Sequence, residues 1–215
     1  MFILKLIPSR VLSRQARKPS GVIGRYLMTK IFNTGNADLN DFVNETLKIE
    51  KADHILEIGF GPGKLINAMA KVAIEGCVQG VDFSKAMLGE ATRKNRQLIA
   101  EGKVRLHEGD CSDLPFDDAS FDKLCTVNTL YFWKDPESYF SEMYRVVKAG
   151  GMTVVGFRDK EQMSKLDLDQ NVFSTYTQDE VVRLLSDAGF SEARIVEKDG
   201  RPFLSYCAIG YKRSQ

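Results

Sequence analysis

The fold is decided by the stretch Ile55-Leu56-Glu57-Ile58-Gly59-Phe60-Gly61-Pro62-Gly63. Its first four residues form an apolar run with a single acid, a pattern typical of a strand buried on both faces with a carboxylate near its carboxyl end. Three glycines at alternate positions follow, and without Cβ atoms they let the backbone lie directly against a ligand. A helical pattern then begins, with its N-terminus toward the same place. The stretch predicts a nucleotide-type binding turn, with an ordinary tight turn as the alternative.

The size and composition of the chain are those of a globular protein. It has 215 residues, 43% of them hydrophobic and 27% charged, enough to bury a core without disulfides or metals. Its formal net charge of +1 gives no bulk attraction to nucleic acid, and we expect no nucleic-acid partner. The four cysteines form no C-x-x-C pair and the two histidines add no metal-ligand spacing. We therefore expect a reducing, cytoplasmic location and no metal site.

The N-terminus departs from this charge balance, because every charged residue before Asp38 is basic. These residues are Lys5, Arg10, Arg14, Arg17, Lys18, Arg25 and Lys30. The apolar run from Phe2 to Ile7 is too short and too interrupted for a secretory signal. Three interpretations stay open: a mitochondrial transit peptide, a surface helix attracted to anionic lipid, and a plain solvated extension.

From Asp53 onward, short apolar runs alternate with helical patterns, as in successive βαβ units. Strands are predicted near His54–Ile58, Cys77–Asp82, Val104–His107, Lys123–Val127, Met152–Phe157, Ala193–Lys198 and Phe203–Tyr211. Helices are predicted near Gly21–Phe32, Leu39–Ile49, Lys64–Ala73, Lys85–Ala100, Pro136–Val147 and Gln178–Ala188. Right-handed crossovers place such strands in an open, mainly parallel sheet with helices on both faces. The last two strands are too close in sequence for a crossover helix, so we expect an antiparallel hairpin.

Polar groups follow the first four strands, at the carboxyl edge where ligands bind in open α/β sheets. Glu57 stands in the quoted stretch, and Asp82 ends the second strand, where a carboxylate can accept hydrogen bonds from both hydroxyls of a ribose. Asp110 follows the third strand and can accept a hydrogen bond from the exocyclic amine of a purine. After the fourth strand, Asn128 can accept from an ammonium group, and Tyr131 adds an aromatic face. Each residue alone is also explained as a turn or core residue.

Five motifs in sequence order make the chain resemble the class I S-adenosylmethionine-dependent methyltransferases, and within them the ubiquinone/menaquinone-type (methyltransferase domain 11-like) group. The resemblance covers about Asp53 to Tyr211. It implies a Rossmann-like, seven-stranded, mostly parallel sheet of order 3-2-1-4-5-7-6 with strand 7 antiparallel, in agreement with the predicted hairpin. The motifs are Glu57-x-Gly59-x-Gly61-x-Gly63, Asp82, Gly109-Asp110-Cys111-Ser112-Asp113-Leu114-Pro115-Phe116, Phe121-Asp122 and Arg145-Val146-Val147-Lys148-Ala149-Gly150-Gly151.

The resemblance implies S-adenosyl-L-methionine as cofactor and S-adenosyl-L-homocysteine as product, with Glu57 near the ammonium of the cofactor and Asp82 on its ribose. The glycine spacing, G-x-G-x-G, also differs from the G-x-G-x-x-G spacing of dinucleotide-binding turns, in which a pyrophosphate binds at a helix N-terminus. The residues that we expect to bind the cofactor are Glu57, Gly59, Gly61, Gly63, Asp82, Phe83, Ser84, Met87, Asp110, Cys111, Asn128 and Thr129.

Methyl transfer from a sulfonium is an in-line displacement in which the protein supplies position. We therefore expect no triad and no nucleophilic cysteine, and we take Tyr26 and Tyr131 as positioning residues, with Arg158 and Asp159 as further residues to test. In the family that the chain resembles, substrate choice resides outside the common fold. Residues 1–50 should accordingly form a basic, helical extension that covers the active site, and residues 51–215 the methyltransferase domain.

Three function classes stay open at this point. The first is a methyltransferase for a small-molecule or lipid-like acceptor. If the basic N-terminus lies on a membrane, peripheral contact would bring the protein to an acceptor in that membrane. The second is a catalytically idle, regulatory protein that binds S-adenosylmethionine. The third is an NAD(P)-binding oxidoreductase, which the glycine spacing disfavours. Methylation of RNA or protein is expected less, because the sequence has no appended binding module and no basic stripe within residues 51–215.

Overall fold

The computed structural model describes residues 8–200 and 204–214, apart from the side chains of residues 22–25. Its strands are β1 His54–Ile58, β2 Cys77–Asp82, β3 Val104–Glu108, β4 Phe121–Val127, β5 Val147–Phe157, β6 Ser191–Lys198 and β7 Ser205–Tyr211. Its helices are α1 Ser9–Arg17, α2 Gly21–Gly35, α3 Ala37–Leu47, α4 Lys64–Ala70, α5 Lys85–Lys94, α6 Arg96–Ala100, α7 Pro136–Val146, α8 Lys160–Met163 and α9 Gln178–Asp187. A short 3-10 helix covers Leu130–Phe132.

The strands of the described residues form one seven-stranded sheet in the order β3-β2-β1-β4-β5-β7-β6. Pairing is parallel from β3 through β5, and β7 runs antiparallel to both β5 and β6. This confirms the predicted fold, including the C-terminal hairpin. The bounds of β1 and β2 are those predicted, because Gly59 directly follows the apolar run of β1, and β2 ends at Asp82 shortly before Ser84, which caps α5.

Several predicted element bounds differ from the structure. The predicted helix Lys85–Ala100 is two helices, α5 and α6, because the buried Asn95 side chain donates hydrogen bonds to the carbonyls of Gly63 and Ala91 at the point where the helix breaks. Helix α2, predicted to end at Phe32, continues to Gly35. Helices α1 and α8 were not predicted. The predicted start of the last strand, Phe203, lies outside the described residues, and β7 begins at Ser205.

The core consists of two apolar clusters, because alternate residues of a strand point to opposite faces of a sheet. Leu56 and Ile58 of β1 belong to the cluster that contains the buried residues of α7 and α9. Ile55 belongs to the cluster that contains the buried residues of α3 and α4. Glu57 follows the alternation of Ile55 and is only 3% exposed. Helix packing on both faces of the sheet therefore buries a carboxylate near the end of the central strand.

Gly63 joins the glycine turn to the helices behind it. It has a φ of 72°, a left-handed value that an L residue with a side chain adopts at a cost. A Cβ placed there would lie 2.7 Å from Asn95 Nδ2 and 2.8 Å from Ala91 Cβ. Both neighbours are buried, at 1% and 0% exposure. Gly63 is thus required for the close packing of α5 against the turn.

We expect Gly63→Ala to lower the free energy of unfolding more than Gly102→Ala, which provides a matched control. Gly102 has the same φ of 72° but no atom within 4 Å of an added Cβ. The control should lose about 1–2 kcal/mol through backbone strain alone, and Gly63→Ala should lose about 1–3 kcal/mol more through overpacking. Urea denaturation measures both values. Equal losses at the two positions would contradict the packing role of Gly63.

Candidate active site

A cavity of about 410 Å³ opens at the carboxyl edge of the sheet, within the range of about 300–1,000 Å³ that small-molecule sites occupy. Four strands contribute to its wall, with Glu57 from β1, Asp82 from β2, Asp110 beyond β3 and Asn128 beyond β4. The structure therefore brings together at one site the four polar groups that the sequence singled out at four strand ends.

Eleven of the predicted cofactor-binding residues line this cavity, and Gly63 does not. Gly63 packs against Ala91 and Asn95 instead, which gives it a supporting role in the structure, and its contact with the cofactor stays a prediction. The sequence did not distinguish its function from that of the other two glycines of the turn. The lining residues are Glu57, Gly59, Gly61, Asp82, Phe83, Ser84, Met87, Asp110, Cys111, Asn128 and Thr129.

The other two glycines serve different purposes. A Cβ on Gly59 would lie 2.2 Å from Cγ2 of Thr129, so Gly59 allows the turn to pack against the loop after β4. At Gly61 the nearest atom to an added Cβ is Cδ2 of Phe32, at 3.9 Å. Gly61 lines the cavity, and a side chain there would occupy space that is otherwise open to a ligand. Gly61 is the position where the backbone can approach a ligand directly.

Asp82 connects the end of β2 to the glycine turn. Its carboxylate accepts hydrogen bonds from Gly61 N at 2.9 Å and from Ser84 N at 2.8 Å. The side chain is buried, and burial raises its pKa to about 6 although the two hydrogen bonds act in the opposite direction. Ser84 caps α5, because its hydroxyl accepts a hydrogen bond from Met87 N. These bonds fix the carboxylate at the cavity wall.

Glu57 is the most unusual polar group of the site. Its Oε2 atom is buried and has no hydrogen-bond partner among the described residues. Burial, followed by the charge of Asp82, raises its pKa well above the ordinary value of a glutamate. A buried carboxylate of this kind is stabilised by a cation, preferably one that also donates hydrogen bonds. An ammonium group has both properties.

Asp110 is held rigidly at the far end of the cavity. Its Oδ1 atom accepts hydrogen bonds at 3.0 Å from Ser112 N and at 3.0 Å from the hydroxyl of Tyr139. The bond from Ser112 N is the largest of the effects that lower the pKa of Asp110. The ring of Tyr139 stacks on Trp133, with centroids 4.8 Å apart and an angle of 8° between the planes. The sequence missed Tyr139, because its position within a helix gave no indication of a site.

Tyr131 joins the ends of β4 and β5. Its hydroxyl accepts a hydrogen bond from Arg158 N at 2.6 Å and lies 3.0 Å from Asn128 Oδ1. Asn128 in turn donates from Nδ2 to Asn36 Oδ1 at 3.0 Å, which connects the strand ends to the junction of α2 and α3. Burial raises the pKa of Tyr131 and, at the cavity wall, that of Cys111. Both groups are protonated at neutral pH, so neither has the properties of a nucleophile or base.

The structure does not bring Tyr26 into the site. Its side chain is 75% exposed, and it is not among the residues that line the cavity. The described face of α2 toward the cavity carries Met28, Ile31 and Phe32 instead. A positioning role for Tyr26 therefore stays a sequence prediction that the placement of its side chain does not support. Of the two further candidates, Arg158 lines the cavity, whereas the side chain of Asp159 caps α8.

Helix α1 is not part of the sheet region, but it forms one wall of the cavity. Its inner face contributes Leu12, Ser13 and Ala16 to the lining. The hydroxyl of Ser13 accepts a hydrogen bond from Asp169 N at 3.1 Å, and Arg10 forms an ion pair with the carboxylate of Asp169 at 3.9 Å. Leu166, Leu168 and Phe173 from the segment after α8 also line the cavity. Helix α1 and this segment together form a cover, which we call the α1 cover.

Residues 8–200 and 204–214 contain no group of three or more histidine, cysteine or acidic side chains that could hold a metal ion. No helix in the same part of the chain is long and apolar enough to cross a membrane.

This strand order, with acids at the ends of β1 and β2 beside a glycine turn, defines an α/β protein of the methyltransferase fold. A family model described as a methyltransferase domain matches residues 56–155. A Bacillus subtilis (strain 168) protein named uncharacterized methyltransferase YdaC is 30% identical over 177 residues, covering 82% of this chain and 93% of that protein. The demethylmenaquinone methyltransferase of Lactobacillus johnsonii is 36% identical over 106 residues, covering 49% of this chain and only 43% of that protein.

Among solved structures, one of a putative S-adenosylmethionine-dependent methyltransferase from Methanococcus maripaludis superposes with a TM-score of 0.68. It is 26% identical, covering 89% of this chain and 93% of that chain. The chain belongs to the class I S-adenosylmethionine-dependent methyltransferases. Its cofactor is S-adenosylmethionine, and the site fits this molecule because the buried, unpartnered Glu57 oxygen matches its ammonium group.

We expect Glu57→Gln to gain stability relative to the wild type as the pH rises. The raised pKa of Glu57 means that the folded chain binds this proton more tightly than the unfolded chain does. The stability that protonation contributes is fully present below the unfolded pKa of about 4.3 and is lost as the pH rises through the folded value. Glutamine does not titrate and so avoids that loss.

The measurement is the free energy of unfolding of the cofactor-free protein by urea denaturation, at intervals from about pH 5 to about pH 8. Glu75→Gln, an exposed position away from the cavity, is the matched control, and its difference from the wild type should not follow the same trend. A difference between Glu57→Gln and the wild type that stays constant over this range would contradict the raised pKa.

Proposed function

We propose that the chain transfers the methyl group of S-adenosylmethionine to a small, apolar or lipid-like acceptor. One observation carries this proposal: a single cavity joins the acidic wall at the strand ends to an apolar wall built by the α1 cover and α2. The first wall suits a ligand with an adenosine and an ammonium group. The second suits an acceptor without charge. The methyl group would pass between them by in-line displacement.

The roles of the acidic wall follow from its hydrogen-bonding capacity. Glu57, whose Oε2 has no protein partner, would hold the ammonium of the cofactor. Asp82 would accept hydrogen bonds from the ribose hydroxyls, since its position is already fixed by Gly61 and Ser84. Asp110 and its neighbours would bind the adenine edge. When bound, the cofactor supplies an electrophilic methyl group on a sulfonium, and these residues would hold it in one orientation.

The apolar wall would select the acceptor. It includes Leu12 and Ala16 of α1, Phe32 of α2, and the pair Phe132 and Phe173, whose ring centroids lie 4.8 Å apart. Such a surface binds alkyl or aromatic groups and excludes water from the reacting atoms. The Lactobacillus johnsonii relative is named for demethylmenaquinone, which supports a lipid-like acceptor here. Tyr131 would act as a positioning residue by holding Asn128 and the backbone of Arg158.

Cofactor binding is tested by calorimetry with S-adenosylhomocysteine. We expect Asp82→Asn to weaken binding about 10- to 100-fold, because hydrogen bonds to a charged group contribute about 1.5–3 kcal/mol. Asp187→Asn, at the exposed end of α9, should bind like the wild type. Binding of NAD in place of S-adenosylhomocysteine by the wild type would overturn the proposal, and so would unchanged affinity in a folded Asp82→Asn variant.

The acceptor is tested with methyl-labelled S-adenosylmethionine and cell extract separated into lipid and aqueous fractions. We expect label to enter a product of the organic phase with the wild type and to enter it much more slowly with Asp82→Asn. Labelling confined to polar products would contradict an apolar acceptor. Saturable cofactor binding without any labelled product would instead support the regulatory alternative.

The outer surface of α1 supports peripheral contact with an anionic membrane. Arg10 and Arg14 are exposed there, together with Val11, which is 49% exposed. Arg17 and Lys18 are exposed at the end of the helix, where Arg17 also lines the cavity. A basic helix with an exposed apolar residue is attracted to anionic lipid headgroups. Contact at this place would bring the α1 cover, and the cavity beneath it, next to the source of a lipid-like acceptor.

We expect the protein to sediment with vesicles that contain phosphatidylserine and not with purely neutral vesicles at low salt. Arg14→Glu should weaken binding about 10- to 30-fold, since each basic residue near the surface contributes about 1 kcal/mol. Arg96→Glu, the same charge change on the exposed surface of α6, is the control and should have a smaller effect. Absence of binding to anionic vesicles at low salt would remove the membrane proposal and leave the methyl transfer proposal untouched.

A further inference from the structure

Helix α1 lies over the cavity without being part of the apolar core. None of its nine residues, all of them described, belongs to either core cluster, and Ser13 is the only buried one. Its apolar side chains Leu12 and Ala16 line the cavity instead. Ser13 and Arg10 contact Asp169 through one hydrogen bond and one ion pair. A helix attached in this way can separate from its neighbour at a small cost in free energy.

The two parts of the α1 cover carry opposite charges. The segment after α8 has Asp167 at the cavity wall and Asp169 against α1. The pKa of Asp169 lies below its usual range, chiefly through hydrogen bonds from Asn171 and also through the charges of Arg10 and Arg14. Attraction between α1 and this segment therefore helps to hold the cover closed. Residues 9–18 contain four basic residues and no acid, namely Arg10, Arg14, Arg17 and Lys18.

An anionic lipid surface would act on the two parts in opposite directions, because it attracts the basic residues of α1 and repels Asp167 and Asp169. Each basic residue near such a surface strengthens attachment about fivefold. One exposed ion pair, such as that of Arg10 with Asp169, strengthens a contact by at most about fivefold. The attraction of four basic residues to the surface therefore outweighs the ion pair that the cover would lose.

The apolar residues of α1 favour the same movement. Val11 is exposed on the outer surface, whereas Leu12 and Ala16 line the cavity. A helix that lies on a membrane buries its apolar side chains among the lipids, so Leu12 and Ala16 can enter the lipid only if α1 leaves the cavity. Residues 18–20 lie between α1 and α2, outside both helices. The far end of α2 is held by the hydrogen bond from Asn128 to Asn36, so α1 can turn while α2 stays in place.

We propose that an anionic lipid surface opens the cavity by separating α1 from the segment after α8, with residues 18–20 as the hinge. The proposal rests on the proposed function and its membrane contact, and it adds a means of regulation. In solution the cover shields the apolar wall from water. At the membrane the same wall would open toward the lipids, so that a lipid-like acceptor could enter between α1 and the segment that carries Leu166 and Phe173.

Trp133 provides a direct measurement of this opening. It is the only tryptophan of the chain, it lines the cavity, and it is 6% exposed. Quenching of its fluorescence by acrylamide is measured in the cofactor-free protein at low salt. We expect the quenching constant to rise about twofold or more with vesicles that contain phosphatidylserine, because the surface increases the population of the open state. Purely neutral vesicles should leave the constant unchanged, and high salt should reverse the rise.

Two sets of variants test whether α1 is the part that moves. Arg14→Glu should reduce the rise in quenching together with vesicle binding, and Arg96→Glu, on the exposed surface of α6, should reduce both much less. The double variant Ser13→Cys, Asp169→Cys joins α1 to the segment by a disulfide, which the 3.1 Å contact between Ser13 and Asp169 allows. With anionic vesicles, the oxidised form should sediment but be quenched about as weakly as in solution. The reduced form is its matched control and should be quenched more strongly.

Two results would overturn the proposal and leave the membrane contact and methyl transfer untouched. One is sedimentation of the wild type with anionic vesicles without a rise in quenching of Trp133. The other is equal quenching of the oxidised and reduced double variant on these vesicles, which would place any opening elsewhere than at α1. Absence of sedimentation would remove the membrane contact and this proposal together. Failure of the protein in solution to bind S-adenosylhomocysteine would instead count against the proposed methyl transfer.

Discussion

The hydrogen bonds that Asp82 accepts from Gly61 N and Ser84 N hold two strand ends and one glycine turn in a single arrangement. Through Gly61 they fix the turn after β1, and through Ser84 they fix the start of α5. Burial of this carboxylate, with Glu57 beside it, places two raised pKa values at one edge of the sheet. An isolated buried acid is unfavourable in the folded state. Binding of a cation at this edge of the sheet would therefore stabilise the folded chain, and buried acids of this kind are common at functional sites.

The α1 cover and the junction of α2 and α3 are held in place at the same edge of the sheet. Asn128 and Tyr131 extend the hydrogen bonding from β4 to β5 and to the junction of α2 and α3. Helix α1 then contacts the segment after α8 through Ser13 and Asp169. These polar contacts add to the apolar packing of α3, whose buried residues belong to the same core cluster as Ile55.

The sheet and its acids could be predicted from the sequence, because the periodicity of strands and the glycines that end them are local patterns. Glu57, Asp82 and Asp110 each follow an apolar run, and strand ends in a parallel sheet meet at one edge. What could not be predicted depends on contacts between distant residues. The helix breaks at Asn95 because the Asn95 side chain donates a hydrogen bond to the Gly63 carbonyl. Gly63 contacts α5 and not the cavity because Ala91 of α5 packs against it. Tyr26 fits the apolar pattern of α2 yet is exposed. The stretch from Asn33 to Asn36 has the composition of a turn, so the sequence did not predict that α2 continues to Gly35 along the cavity.

The central claim is that Glu57 is a buried carboxylate held for the ammonium group of the cofactor. Its most direct test is a ¹³C NMR titration of the Glu57 carboxyl, in the free protein and with saturating S-adenosylhomocysteine. The pKa should lie well above the ordinary glutamate value in the free protein and fall markedly when the ligand binds, while 5′-methylthioadenosine should lower it much less. An ordinary pKa in the free protein, or a raised pKa that S-adenosylhomocysteine leaves unchanged, would contradict the claim.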